Sequence, residues 1–444
     1  MTMKATVKKL KKINQFLNKN TLLIFVAFIV TLSVSILAYC FILVRVQPEL
    51  INANGDLQIT NLGFNLYHIL TNLLEGKTVK DQMLGIDLYV AKMPLQPYFL
   101  FLFYTLVSKK LIIFFLFKNL IFGIILFLII KFYDKKLNNF FLAICLVSIF
   151  YIPHNLVTIF SLAYEEGFLA YLLIILFLTL TGNYKYKTII TSIVLCLIFF
   201  SKSSMFYLVC GISIVYFFLE KKKYNYLPFI TFMFCSFLWG LNSYNKTGKF
   251  AFATSSTSLN GISAGMVYHK EFTKYYPLRS PDMFQKYQYN ELRKLKIKNE
   301  WDAHSYYLDK SKKYMKENPK DVLYGLMKKL YVIFLSPNKD TRTFDQFNNE
   351  NIKNPIRYSN FPNKIVFILS IIILSKSLLG FKNLNLFLQH KNIYFMTIVG
   401  LYFFPYLAGF VYPRHCVPIY ILSHIYLITQ LAYPKRNYLK FFKN

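Results

Sequence analysis

The feature that most limits this chain is an alternation of long apolar runs, roughly 17–25 residues each, with short lysine-rich blocks. Runs of that length cross a hydrocarbon core as helices, because in lipid each backbone N–H and C=O must be satisfied within its own segment. They fall near 21–45, 111–131, 137–153, 164–181, 187–201, 203–219, 226–243, 363–380, 392–410 and 416–433. The expected fold is an all-α polytopic membrane protein, a transmembrane helix bundle with both ends on the cytoplasmic side. The formal net charge of +32 comes mostly from lysine. In a soluble chain such a balance would suggest nucleic acid. Here the lysines sit between apolar runs, where they report orientation and attraction to anionic lipid, so nucleic acid is set aside as a partner.

The positive-inside bias sets the topology. Lys131–Lys136, Asn183–Lys187 and Glu220–Tyr226 fall inside, while the junctions at Pro153–Glu166 and Ser201–Ser204 fall outside. This divides the chain into a basic tail (1–20), a transmembrane module (21–243) carrying a first outer loop (47–93), an extracytoplasmic domain (244–362), a second transmembrane module (363–433) and a short tail (434–444). The first run reads as an uncleaved signal anchor, since it is too long for a signal peptide. The apolar stretch 98–107 is short and follows Pro94 and Pro97, which predicts an interfacial or half-inserted helix, with a true span as the alternative. The stretch 322–335 carries Lys328 and Lys329, which predicts an interfacial helix. Its start is expected at Asn318, with Asn as cap, Pro319 in first position and Asp321 in the first turn. Leu66, Ile69, Leu70, Leu73 and Leu74 form a helical stripe stopped by Gly76, suited to lie in the membrane interface. Of six cysteines, five lie in apolar runs and none has zinc-site spacing, so they read as core residues.

The polar residues that break this pattern gather at the outer side. Asp56 follows Gly55 about ten residues beyond the first run; it is a candidate base or one member of an Asn-Gly-Asp turn. Lys92 precedes Met93-Pro94 where the chain re-enters apolar sequence, either as a snorkelling anchor or as a cation at headgroup depth. Glu165 and Glu166 are adjacent carboxylates beside an apolar run. Each would cost about 2.5–3.5 kcal/mol at mid-membrane, so the pair is expected at a water-accessible edge. Lys202 and Arg414 stand in outer turns against the orientation bias, and Arg suits bidentate phosphate recognition. His154 and His415 fall at outer junctions, as structural residues or as partners in a metal site. Lys118, inside an apolar run, is expected either to bond between helices or to snorkel toward the interface. No phosphate loop, dinucleotide glycine pattern or nucleophile elbow occurs.

Four stretches, in this order, resemble the GT-C glycosyltransferases, specifically the bacterial polyprenyl-phosphate-sugar enzymes related to protein O-mannosyltransferases and the lipid A aminoarabinose transferase. They are the early outer acid with NLYHILTNLLEGKTV and YVAKMPLQPYFLFLFYTL; SLAYEEGFLAYLL; WGLNSYNKTGKFAFATSSTSLNGISAG; and AHSYYLDKSKKYMKENPKDVLYGLMKKL with YPRHCVPIY. Asp56 lacks the second acid that many members carry beside it, and Glu49 is the alternative base. The resemblance implies an inverting transfer of sugar from a polyprenyl-phosphate lipid donor to a glycan, lipid or protein acceptor, on the outer face of a bacterial inner membrane. By that analogy Asp56 is the catalytic base, and Lys92 and Arg414 bind the donor phosphate. Glu165, Glu166 and Lys202 then bind acceptor or sugar, the acids holding a divalent cation if one is used. Three other readings stay open: a polysaccharide polymerase acting on lipid diphosphate, a lipid or solute transporter, and a structural or assembly membrane protein without catalysis. The transporter reading is weakened by the absence of an internal repeat in the sequence.

Overall fold

In the computed structural model of the chain, the described residues are 80–81, 86–87, 93–133, 142, 145–146, 148–150, 152–160, 165–182, 185–220, 224–254, 269–270, 290–297, 299–335, 359–379, 390–409 and 411–432. Asp56, Lys92, the first apolar run and the stripe ending at Gly76 lie outside them. Two short strands, β1 (Lys80–Asp81) and β2 (Ile86–Asp87), pair antiparallel with Lys80 opposite Asp87. All other regular structure among the described residues is helical. The helices are α1 (Leu95–Leu106), α2 (Leu111–Tyr133), α3 (Pro153–Phe160), α4 (Glu166–Thr181), α5 (Lys187–Ser201) and α6 (Phe206–Leu219), a 3-10 turn at Ser203–Met205 preceding the last. They continue as α7 (Leu227–Thr247), α8 (Glu300–Glu317), α9 (Pro319–Phe334), α10 (Phe361–Leu379), α11 (His390–Ala408) and α12 (Pro413–Ala432).

The fold among the described residues is all-α, as the apolar runs implied, and helix limits fall within a few residues of eight of the ten runs; the run near 21–45 and most of that near 137–153 lie outside the described residues. Ile112–Tyr133 and Arg414–Ala432 are long and apolar enough to cross a membrane by length and composition. Leu95–Leu106, Glu166–Thr181, Lys187–Ser201 and Ser203–Leu219 are apolar but shorter.

The bundle is built around α4, which packs against α2, α3, α5, α11 and α12. A helix apolar all round must be buried, and in α4 only Phe168, Ile175 and Thr181 are not. Phe177 of α4 meets Phe395 of α11 and Tyr426 of α12, and those two rings stack at 3.9 Å. Around this core, α5, α7 and α6 pack in turn, while α10 packs on α12. Lys118 reaches from α2 to donate to the Ile159 carbonyl at 3.0 Å, the interhelix role of the two expected of it.

The outer faces of the bundle are apolar. Ile113, Leu116, Leu120, Ile124 and Leu128 form one exposed stripe on α2, and Ile230, Met233, Phe234, Phe237 and Leu241 another on α7. Helix α9 is inside out. It buries Asp321, Gly325 and Lys329 and exposes Leu323, Met327 and Tyr331.

The helix expected after Asn318 is present, with Pro319 at its start and Asp321 in its first turn. Asn318 does not cap it through its side chain, which donates instead to the Tyr314 carbonyl at 3.1 Å. The capping asparagine is Asn299, whose extended backbone lets its side chain accept from the Trp301 N–H at the start of α8. Asp321 accepts from the Tyr314 hydroxyl at 2.6 Å and the Lys270 N–H at 2.7 Å, tying α8 and the chain at Lys270 to α9.

Candidate functional site

Four helix ends meet at one end of the bundle. Helix α4 begins there with Glu166, and α5 ends there just before Lys202. Helix α11 brings Tyr402 and Tyr406 in its last turns, and α12 begins with Arg414 and His415. Successive helices run antiparallel, so charged residues far apart in sequence converge wherever their junctions lie on the same side.

Lys202 bonds Glu166 Oε1 through Nζ at 2.5 Å and lies 3.8 Å from Glu165 Oε2. His415 Nε2 lies 3.5 Å from the same Glu166 oxygen. Its Nδ1 accepts from the Tyr412 N–H at 3.3 Å, which places the proton of the neutral ring on Nε2, facing the carboxylate. The imidazole packs on the Tyr406 ring at 4.6 Å, and its backbone carbonyl accepts from the Tyr402 hydroxyl at 2.7 Å. The Lys202 ammonium also faces the Tyr406 ring, 5.5 Å from its centroid. Arg414 is buried with its guanidinium 4.4 Å from the centre of the Tyr412 ring, a contact that holds the planar fork in one orientation.

The Glu166 side chain is only 3% exposed and Lys202 18%. The expectation of a water-accessible edge is therefore corrected. A lone carboxylate there would need water, but Glu166 has the Lys202 and Arg414 cations and the His415 imidazole N–H around it, and these offset its lost hydration. Burial pulls the Lys202 ammonium toward its neutral form. The carboxylates of Glu166 and Glu165 and the neighbouring Tyr406 outweigh that and hold its pKa above the ordinary lysine range.

Of the residues singled out from sequence, Glu165, Glu166, Lys202 and Arg414 come together here. Asp56 and Lys92 lie outside the described residues. His415 belongs to the cluster, and His154 stands on α3. Its backbone N–H meets Ser359 Oγ at 3.3 Å at the start of α3. Among the described residues no group of three or more His, Cys, Asp or Glu could hold a metal ion. Glu166 carries an ammonium where a divalent cation would need to bind. Sequence reasoning missed Tyr402 and Tyr406. Their i, i+4 spacing puts them on one helix face, but that spacing is also common among tyrosines packed in a core.

Chemically, the arrangement offers a fixed guanidinium with several donors, an ammonium, an imidazole N–H and two carboxylates, backed by aromatic rings. Such a set can bind a phosphate through charge-assisted hydrogen bonds and orient a hydroxyl or amine beside it. Compared with protein-family models, with curated proteins and with solved structures, the chain matches none.

Proposed function

We propose that the chain is a polytopic membrane enzyme of GT-C type, an inverting glycosyltransferase. It moves a sugar from a polyprenyl-phosphate donor to a glycan, lipid or protein acceptor at the outer face of a bacterial inner membrane. The observation that carries this reading is the convergence of Arg414, His415 and Lys202 with Glu166 at one end of an apolar bundle. Membrane embedding is supported by the exposed apolar stripes along α2 and α7, the kind of surface that marks contact with lipid or another protein. The inside-out α9 supports it too, since its apolar face would lie against lipid.

In this reaction the acceptor oxygen or nitrogen attacks the anomeric carbon from the face opposite the phosphate. The bond from that carbon to the phosphate oxygen breaks with its electron pair, and the acceptor's proton passes to a carboxylate. Negative charge therefore grows on the leaving phosphate, where Arg414 acts, and its fork would stabilise the transition state more than the bound donor. Lys202 and Glu165–Glu166 position sugar or acceptor. Asp56, the base implied by the resemblance, takes the proton, and Lys92 adds a second cation for the phosphate.

The experiment is sugar transfer from a set of polyprenyl-phosphate sugars by the protein in proteoliposomes. Arg414→Lys keeps the charge and loses the bidentate fork, and turnover is expected to fall about 10²–10³-fold. Turnover by Arg414→Lys equal to wild type would refute the assignment. Failure of the wild type with every donor in the set would refute the function.

A further inference from the structure

Helices α5 and α7 pack against each other, and their contact holds two free cysteines that the proposed reaction does not use. Cys196 lies about 14 Å along α5 from Lys187, and Cys235 about 12 Å along α7 from Leu227, at 1.5 Å per residue. Each has a phenylalanine three residues away on its own helix, Phe199 on α5 and Phe232 on α7, and that spacing puts the two side chains on one face. Across the contact thiol meets thiol and ring meets ring. The Cys235 thiol donates to Cys196 Sγ at 3.2 Å, and the Phe199 and Phe232 rings meet edge to face with centroids 5.9 Å apart. Phe232 also packs on Phe206 of α6 at 5.2 Å, so aromatic contacts set the helix spacing that keeps the two sulfurs opposed.

A cysteine that only fills space in a core has no need of a second thiol against it. Two opposed thiols can also join. A disulfide holds its sulfurs about 2.05 Å apart, so this pair has about 1 Å to close. The oxidant must be small and uncharged, because Cys235 is buried and Cys196 half-buried between helices.

We propose that Cys196 and Cys235 are a peroxide-sensitive pair that closes to a reversible disulfide and staples α5 to α7. One sulfur attacks hydrogen peroxide, the O–O bond breaks, and a sulfenic acid and one water form. The second sulfur then attacks the first, the S–OH bond breaks, and the S–S bond forms with release of a second water. The two sulfurs lose two electrons and the peroxide gains them; both thiol protons leave in the waters. The staple joins α5, which ends just before Lys202, to α7, whose following chain returns to the Ser203 hydroxyl through Thr254 at 2.9 Å. The inference rests on the packing of α5 and α7 and needs no sugar transfer.

The test treats the full-length protein in mild detergent with hydrogen peroxide, blocks remaining thiols with iodoacetamide in denaturant, and maps peptides by mass spectrometry without reductant. A peptide pair joining Cys196 to Cys235 is expected, and it should disappear after dithiothreitol. The cysteines are 39 residues apart in sequence, and closing a loop of that size should raise melting by up to about 4 °C. In Cys196→Ser and Cys235→Ser the remaining thiol has no partner, so dimedone should trap the sulfenic acid that the wild type passes on to the disulfide. Four results would overturn the proposal: both thiols still open to iodoacetamide after peroxide, a bond from either to Cys210 instead, dimedone trapping in the wild type equal to that in the variants, or a cross-linked protein that melts below the reduced one.

Discussion

Removing Lys202 while keeping its bulk, as Lys202→Met, strands the Glu166 carboxylate in the bundle. At 2.5 Å the gross attraction of the pair is about 7 kcal/mol with an effective dielectric near 20. Desolvation of the two ions offsets most of that, so the intact pair adds little over a well-packed apolar pair. Truncating one partner is different, because the remaining charge stays buried. Breaking a buried pair costs about 3–5 kcal/mol, and the neighbouring His415 and Arg414 place this case near the lower end, about 3 kcal/mol. Glu166→Gln is expected to be milder, roughly 1–2 kcal/mol, because Lys202 keeps some solvent and has Glu165 at 3.8 Å. The double variant loses both charges and is expected to lie within about 1 kcal/mol of wild type, giving a coupling energy of about 3 kcal/mol. Thermal melting in detergent reads this directly, with Lys202→Met expected to melt roughly 3 °C lower, from an unfolding entropy of about 2.1 cal/mol/K per residue. The reasoning is refuted if Lys202→Met melts like wild type, or if the double variant shows the plain sum of the single losses.

Gly167 follows Glu166, and a Cβ there would stand 2.6 Å from the Ile159 carbonyl oxygen, the same oxygen that Lys118 bonds. Gly167→Ala is therefore expected to push α3 from α4 and cost about 1–3 kcal/mol. Gly400→Ala, with nothing within 4 Å of the added carbon, is expected to be neutral or slightly stabilising in the same melting assay. His269 packs on Tyr314 between Asp321 and Lys329, and burial, then Lys329, pull its pKa down to about 4 despite Asp321. The unfolded chain takes up this proton near pH 6.5 and the folded one only near 4, so stability should fall as pH drops through that window. The limit is about 3 kcal/mol, reduced by solvent screening to roughly 1–2 kcal/mol. Melting of His269→Gln should lose this part of the acid slope. An unchanged slope would count against it.

Much of this architecture is legible in the sequence because the apolar runs among the described residues form almost uninterrupted helices, and the lysine blocks between runs mark where a helix must stop. The meeting of Glu165, Glu166, Lys202 and Arg414 is legible for the same reason. Antiparallel helices bring alternate junctions to one end, whatever their separation along the chain. What sequence cannot supply is compensation. Glu166 looks as though it needs water until Lys202 and His415 are seen beside it. Asn318 looks like a cap, but its backbone sends the side chain back to Tyr314, while Asn299, in an extended conformation, reaches the Trp301 N–H. The Lys187–Glu220 pair was hidden among lysines that orientation alone explained, since nothing local shows that one of them turns inward to a carboxylate 33 residues away.

The most direct test of the central claim uses the Glu166→Gln/Lys202→Met double variant, which should fold with near wild-type stability. If the charged cluster is the transfer centre, proteoliposomes carrying this variant should move sugar from the polyprenyl-phosphate donor at least about a hundredfold more slowly than wild type. A folded double variant that turns over at the wild-type rate would reduce the cluster to a structural clasp and contradict the account.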